Sequence, residues 1–390
     1  MASPPLALAK SPPPKAPAVS CKRRNNHCWS KLPLDLMLMV FERLGFADFE
    51  QAKSVCSSWQ SGSRLSKPNN QIPCMILFPV DKNYCLLLSP ENTKKLYKSQ
   101  NLGDDFGKSV CLTTCGSWLL MRFGYRDMEG NFSLDEKYNL YILNLLTRER
   151  INLPGFESEY DRLRCPILWI DEKTKDYQVI GRAGKETLVS FKKGDNSWKQ
   201  TKFSLSCFFN SFDLVYKDHK LYCLNYDKLL IFEFSGEIPR QVTIPGGLCI
   251  RVPDIQWERQ MHRRKTNMVV TVRGDVLIVR CIRPSMTKTW EFKIFKMGSS
   301  KENIWERIFS LGDESILLDL GITVLAKDLK GITSNSIYFN ANYFFVDEYD
   351  ENEIFIFSLD TKKVERPHQF VSSSGLFSYA RWFLPSFKRE

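Results

Sequence analysis

Histidine is nearly absent, with four in 390 residues and no two close together. No H-E-x-x-H occurs, so a helix-borne zinc-hydrolase site is excluded. G-x-S-x-G and G-x-G-x-x-G are missing too, which removes the usual nucleophile elbow and dinucleotide fingerprint. No C-x-x-C occurs either. The twelve cysteines are scattered over residues 21–281 in a chain far longer than a disulfide scaffold. Several lie in apolar runs such as "NYCLLL", "LYCLNY" and "LIVRCI", where Cys packs as a small hydrophobe. The expectation is reduced thiols in a reducing compartment, which leaves the sequon Asn131-Phe132-Ser133 silent. No stretch approaches the ~18 apolar residues of a membrane span. "PPLALAKSPPP" is too rich in proline for the core of a secretory signal. A soluble protein of the nucleus or cytoplasm, with no membrane association, is expected.

Acid is missing from residues 1–31, which hold six Lys or Arg. That stretch alone supplies +6 of the formal charge of +11, leaving +5 for the other 359 residues. Such a lopsided charge argues against nucleic acid as the partner of the folded part. Residues 1–27 also contain six prolines and read as a disordered basic tail. Lys22-Arg23-Arg24 reads as a solvated cluster, with a weak nuclear import signal as the sharper alternative. Cys21, His27 and Cys28 lack the second ligand pair that a zinc site needs.

Residues 28–66 read as helical. In "KLPLDLMLMVFERL" (31–44), Pro33 suits the first position of a helix and Asp35 its positive end. A helix from Pro33 to Leu44 is apolar on nearly every side. Only Asp35, Glu42 and Arg43 interrupt it, and about 40 residues are too few to surround such a helix. It must pack into the rest of the chain or meet a partner. Next, Asp48 is a plausible N-cap with Gln51 completing a capping box. Ala52, Val55, Cys56 and Trp59 then fall on one helical face. "KPNNQIP" (67–73) is a linker.

From residue 74 to 390 the pattern turns to short strands, in keeping with the aromatic content of 13%. "NLYILNLLTRERINLP" (139–154), "KLLIFEFSGEIPRQVTIP" (228–245) and "EIFIFSLDTKKVERP" (353–367) repeat one unit: strand, polar turn, strand. "WEFKIFKMGSSKENIWERIFSL" (290–311) is a longer version. Hairpin-like pairs precede them at 116–127, 212–224, 268–282 and 335–348, and 176–203 is a further copy. Repeats of about four short strands argue for a β-propeller of five or six blades, seven at most. A sandwich needs far fewer strands. The fold class expected is mainly β, a small all-α N-terminal unit followed by a β-propeller-like domain.

The remaining candidates for chemistry read as structural. "GRAGK" (181–185) lacks phosphate-loop spacing and reads as a hairpin turn. Cys111 and Cys115 read as core thiols flanking a turn. His219 reads as a hairpin tip needing positive φ. "VDEYDENE" (346–353) lacks calcium-loop spacing and reads as a solvated loop. "RVPDIQWERQMHRRKT" (251–266) reads as a long solvated loop before a strand, with a partner-facing role as the alternative.

Trp29-Ser30, Leu32-Pro33, Asp35-Leu36, Val40-Phe41, Arg43-Leu44, Asp48, Val55-Cys56 and Trp59 together resemble the F-box motif in order and spacing. The stretches "IFSLGDESILLDL" (308–320), "NSIYFNANYFFVDEYDENEIFIFSLDT" (335–361) and "WFLPSF" (382–387) resemble the plant module called domain-of-unknown-function 295. The resemblance implies a substrate-recognition subunit of a Skp–cullin–F-box ubiquitin ligase. It would bind a Skp-family adaptor, and through it cullin and RING subunits, and would hold an unidentified protein substrate on the propeller. It implies no catalytic residue, no cofactor and no metal. By position, Leu32, Pro33, Leu36, Val40, Phe41, Leu44, Val55 and Trp59 would face the adaptor or shape that surface. A non-degradative scaffold or adaptor-sequestering regulator, and an enzyme or small-molecule-binding propeller, are the alternatives.

Overall fold

The computed structural model describes residues 29–44, 46–66, 73–88, 96–124, 139–155, 163–171, 173–183, 187–202, 212–217, 219–225, 228–236, 239–242, 250–251, 262–284, 289–298, 305–329, 331–340, 354–365 and 377–384. The basic tail, residues 67–72 of the linker 67–73 and the acidic run 346–353 therefore lie outside the described residues.

Three short helices come first: α1 (Leu34–Phe41), α2 (Phe46–Ala52) and α3 (Ser57–Ser63). Pro33 sits at the N-cap with φ −53° and ψ 146°, not inside the helix, and Glu42 caps the other end. The continuous helix expected through Ala52, Val55, Cys56 and Trp59 is instead two. Ser54 donates its Oγ to Gln51 O at 2.7 Å, a local bond that competes with the helical ladder. Cys56 then takes an extended conformation and starts α3. Asp48 is the third residue of α2 and lies inside its first turn, so it is not the N-cap.

Strands follow. β1 (Cys74–Pro79), β2 (Leu86–Leu88) and β3 (Leu96–Lys98) pair in that order. β4 (Ser109–Cys115), β5 (Trp118–Phe123), β6 (Asn139–Asn144) and β7 (Arg150–Asn152) make a second sheet. β8 (Leu163–Ile170), β9 (Tyr177–Ala183), β10 (Thr187–Lys192) and β11 (Lys199–Lys202) make a third. β12 (Phe212–Lys217), β13 (Lys220–Asn225), β14 (Lys228–Glu233) and β15 (Arg240–Gln241) make a fourth, with β16 (Ile250–Arg251) also on β14. β17 (His262–Val270), β18 (Val276–Pro284), β19 (Glu291–Met297) and β20 (Trp305–Ile308) make a fifth. β21 (Glu314–Leu317), β22 (Ile322–Leu325), β23 (Ser336–Asn340), β24 (Ile354–Ser358) and β25 (Val364–Glu365) make a sixth, joined to the fifth by one parallel bridge, Val270 to Ile322. β26 (Phe377–Phe383) returns to the first sheet and pairs with β1, from Cys74 opposite Phe383 to Pro79 opposite Phe377.

Among the described residues the strands thus form six blades, and the ring closes where β26 pairs with β1. The core has the same six-fold division. Each of six apolar clusters lies between two neighbouring blades. In β5, Trp118 and Leu120 face the third blade while Leu119 and Met121 face the first. Both faces of a blade are buried, so its strands read as apolar runs without alternation. A seventh cluster, Met37, Phe41, Phe49, Ala52 and Trp59, belongs to the helices.

Several local expectations are corrected here. Cys111 and Cys115 lie on the same strand, β4, and the turn follows Cys115. Gly181, Arg182 and Ala183 finish β9, so only the end of "GRAGK" falls in the connection. Residues 262–266, expected in a loop, begin β17, while 252–261 lie outside the described residues. His219 does occupy a hairpin tip, with φ 58° between the paired Lys217 and Lys220. The eight described cysteines form no disulfide.

Candidate functional site

The helical module turns one side of α1 inward. Phe41 is wholly buried, tilted against Phe49 with ring centroids 5.0 Å apart and edge-on to Trp59 at 5.4 Å. Trp59 donates its indole N–H to Trp29 O at 3.0 Å, which ties the start of the module to α3. Gly62 allows the close approach of α3 to α1: a Cβ there would stand 2.5 Å from Met37 Sδ. Leu32, Val40 and Leu44 are half-buried against this core.

The other side of α1 is apolar and uncovered. Leu36 and Met39 on that side are 45% and 51% exposed; Leu34, the first helical residue, is 49% exposed and Val55 in the break before α3 is 59% exposed. Among the eight residues singled out from the sequence, Pro33, Leu36 and Val55 are thus open to a partner. Phe41 and Trp59 are internal and act only by shaping the module. Sequence reasoning passed over Leu34 and Met39. A helical wheel places Met39 opposite the Met37–Phe41 side, so that signal was available. Leu34 falls beside Phe41 on the wheel, and only its place as the first helical residue leaves it uncovered.

A second constellation lies on the strands nearest the propeller axis. Asp213 on β12 accepts the Met268 N–H of β17 at 2.6 Å and the Leu214 N–H at 3.0 Å. Asp319, in the turn between β21 and β22, accepts the Trp382 N–H of β26 at 2.9 Å. Thr114 of β4 donates its hydroxyl to Trp382 O at 3.1 Å. All of these bonds except the local one to Leu214 fasten one blade to another. Burial pushes the Asp213 carboxyl up to about 6, against the pull of the Met268 N–H and the Lys265 charge. Burial likewise pushes Asp319 up to about 6, opposed by the Trp382 N–H and Arg381. Lys265 is lowered to about 8 by burial, with Asp213 resisting and Arg381 adding to the fall. This arrangement suits blade fastening. Among the described residues no group of three or more His, Cys, Asp or Glu is placed to hold a metal ion. Among them, too, no helix is long and apolar enough to cross a membrane.

A helical module with exposed apolar residues, followed by a closed propeller, makes a two-part chain. Comparison with known proteins makes this specific. The F-box domain pattern matches residues 29–69, and the KIB1-4 beta-propeller pattern matches residues 87–358. The Arabidopsis thaliana F-box protein At1g69090 is 61% identical, covering 100% of both chains. The Arabidopsis thaliana chain At5g66830, likewise named for an F-box, is 57% identical over 97% of this chain and 98% of its own. Solved structures are more distant: TolB from Acinetobacter baumannii has a TM-score of 0.40 at 12% identity, covering 84% of this chain and 72% of that one. The chain belongs to the plant F-box proteins that carry a KIB1-4 beta-propeller. The structure extends the propeller beyond the matched span, because β1 and β26 complete its first blade.

Proposed function

We propose that this chain is the substrate-recognition subunit of a Skp–cullin–F-box ubiquitin ligase. The observation that carries the reading is the uncovered apolar pair Leu36 and Met39 on one side of α1, with Leu34 and Val55 also exposed, on a module whose core is already filled by Met37, Phe41 and Trp59. An exposed amphipathic helix face of this kind fits a partner's apolar groove. In this reading a Skp-family adaptor covers Leu36, Val55 and Pro33, while Leu32, Val40 and Leu44 support that surface and Phe41 and Trp59 hold its shape. The chain contributes no catalytic group. It acts by raising the effective concentration of a propeller-bound protein near a charged conjugating enzyme.

The test is co-purification of the full chain with a Skp-family adaptor, beside a Leu36→Ala/Met39→Ala variant and a chain lacking residues 29–66. Capture by the full chain, weakened capture by the double variant and none by the truncation are expected. No capture by the full chain would end this reading.

A further inference from the structure

Asp48 and Phe49 are neighbours on α2 and point about 100° apart. Phe49 enters the helical core. Asp48 leaves it and accepts a hydrogen bond at 2.7 Å from the Tyr97 hydroxyl, on β3 of the first blade. Tyr97 is an anchored partner, because its ring is buried in the apolar cluster between the first and second blades with Ile76, Leu87 and Tyr141. One short helix therefore has one side in the F-box core and a carboxylate on the propeller. A hydroxyl-to-carboxylate bond is among the stronger hydrogen bonds. Two domains joined by a linker are otherwise expected to move relative to one another.

We propose that the Tyr97–Asp48 pair is a positioning clamp that holds the F-box module in one orientation against the first blade, and so fixes the direction in which the propeller presents its bound protein. The purpose of the fixed direction rests on the receptor reading above; the clamp itself does not. The clamp gives Asp48 a task different from helix capping. It also explains why a tyrosine stands on a three-residue strand whose other members, Leu96 and Lys98, are exposed.

Single-molecule energy transfer in the full chain tests this, with dyes on unnatural amino acids replacing the exposed Gln60 and Lys363. Tyr97→Phe keeps the ring in the core and removes only the hydroxyl. Asp48→Ala removes the acceptor, and Asp48→Asn retains an oxygen that still accepts. One narrow distance distribution is expected for wild type and Asp48→Asn. Tyr97→Phe and Asp48→Ala should broaden it, raising the displaced fraction about tenfold or more. Their thermal unfolding should show an intact propeller, and their adaptor affinity should stay within about twofold of wild type. A Tyr97→Phe distribution identical to wild type would overturn the clamp. So would loss of adaptor binding by Tyr97→Phe, which would make the pair part of the adaptor surface. If wild type itself fails to bind the adaptor, the receptor reading falls, while the dye distances still decide the clamp.

Discussion

At the scale of single residues, Asp213 and Lys265 are oppositely charged groups that burial pushes toward neutrality. This gives stability a defined pH dependence. The folded Asp213 carboxyl titrates at about 6 against an ordinary 3.8. Between those values the folded chain holds more protons than the unfolded one, so rising pH weakens the fold through this group. Asp319 acts in the same direction over the same window. Lys265 titrates at about 8 against 10.5, so in that higher window the unfolded chain holds more protons and stability climbs with pH. Urea midpoints should therefore fall from pH 4 to 6 and recover above pH 8 as far as these groups govern them. Asp213→Asn should flatten the first limb by an amount on the order of 1–3 kcal/mol. Denaturation curves of both proteins at pH 4.5, 6 and 7.5 check this, and an undiminished slope in the variant would assign the effect to other carboxylates.

At the scale of elements, α1 has a buried side and an uncovered side, and substitutions separate them. Phe41→Ala empties a wholly buried ring site shared with Phe49 and Trp59 and should cost about 3–5 kcal/mol. Amide exchange across α1 and α3 should then rise to that of an open module. Leu36→Ala, on the uncovered side, should leave those exchange rates unchanged. Equal exchange in the two variants would mean that α1 lacks this division. The start of α1 was legible because proline and an early acid mark a helix start whatever surrounds it. The split between α2 and α3 was not. Ala52 and Trp59 keep their helical spacing and are both buried, yet Ser54, Val55 and Cys56 lie between the two helices, with the Ser54 hydroxyl donating to the Gln51 carbonyl and Val55 disfavouring the helix by its branched Cβ. Periodicity alone cannot distinguish a continuous helix from two helices that meet in one core. For the candidate site, the motif pointed to the helical module, but burial, which no spacing reports, separates Leu36 from Phe41.

At the scale of the whole molecule, hairpins such as β6–β7, β14–β15 and β24–β25 were readable as repeats because each is local. The blade count was not, for two reasons. The sixth blade carries an additional strand, with β21 parallel to β23 and β22 turned back beside β17. The first blade is completed by residues about three hundred positions apart, Met75 opposite Trp382, a pairing that no local pattern encodes. That closure is the joint on which the ring depends. β26 places Trp382 and Ala380 in the cluster between the sixth and first blades, where Leu384 follows them, and Phe383 in the cluster between the first and second. It also supplies the N–H that Asp319 accepts. A chain ending at residue 376 would lose these contacts together and leave β1 as an open apolar edge, which favours aggregation. It should unfold at a lower urea concentration, in a broadened transition, and be cut by protease within the first blade. Trp382→Ala, which empties one buried site and leaves the strand pairing in place, should cost about 3–5 kcal/mol and keep a single sharp transition. A truncated chain with the full-length midpoint would show that the ring is held by the blade-to-blade clusters alone, with β26 as ornament; a large loss beside a modest one for Trp382→Ala would locate the stability in the joining of the two ends.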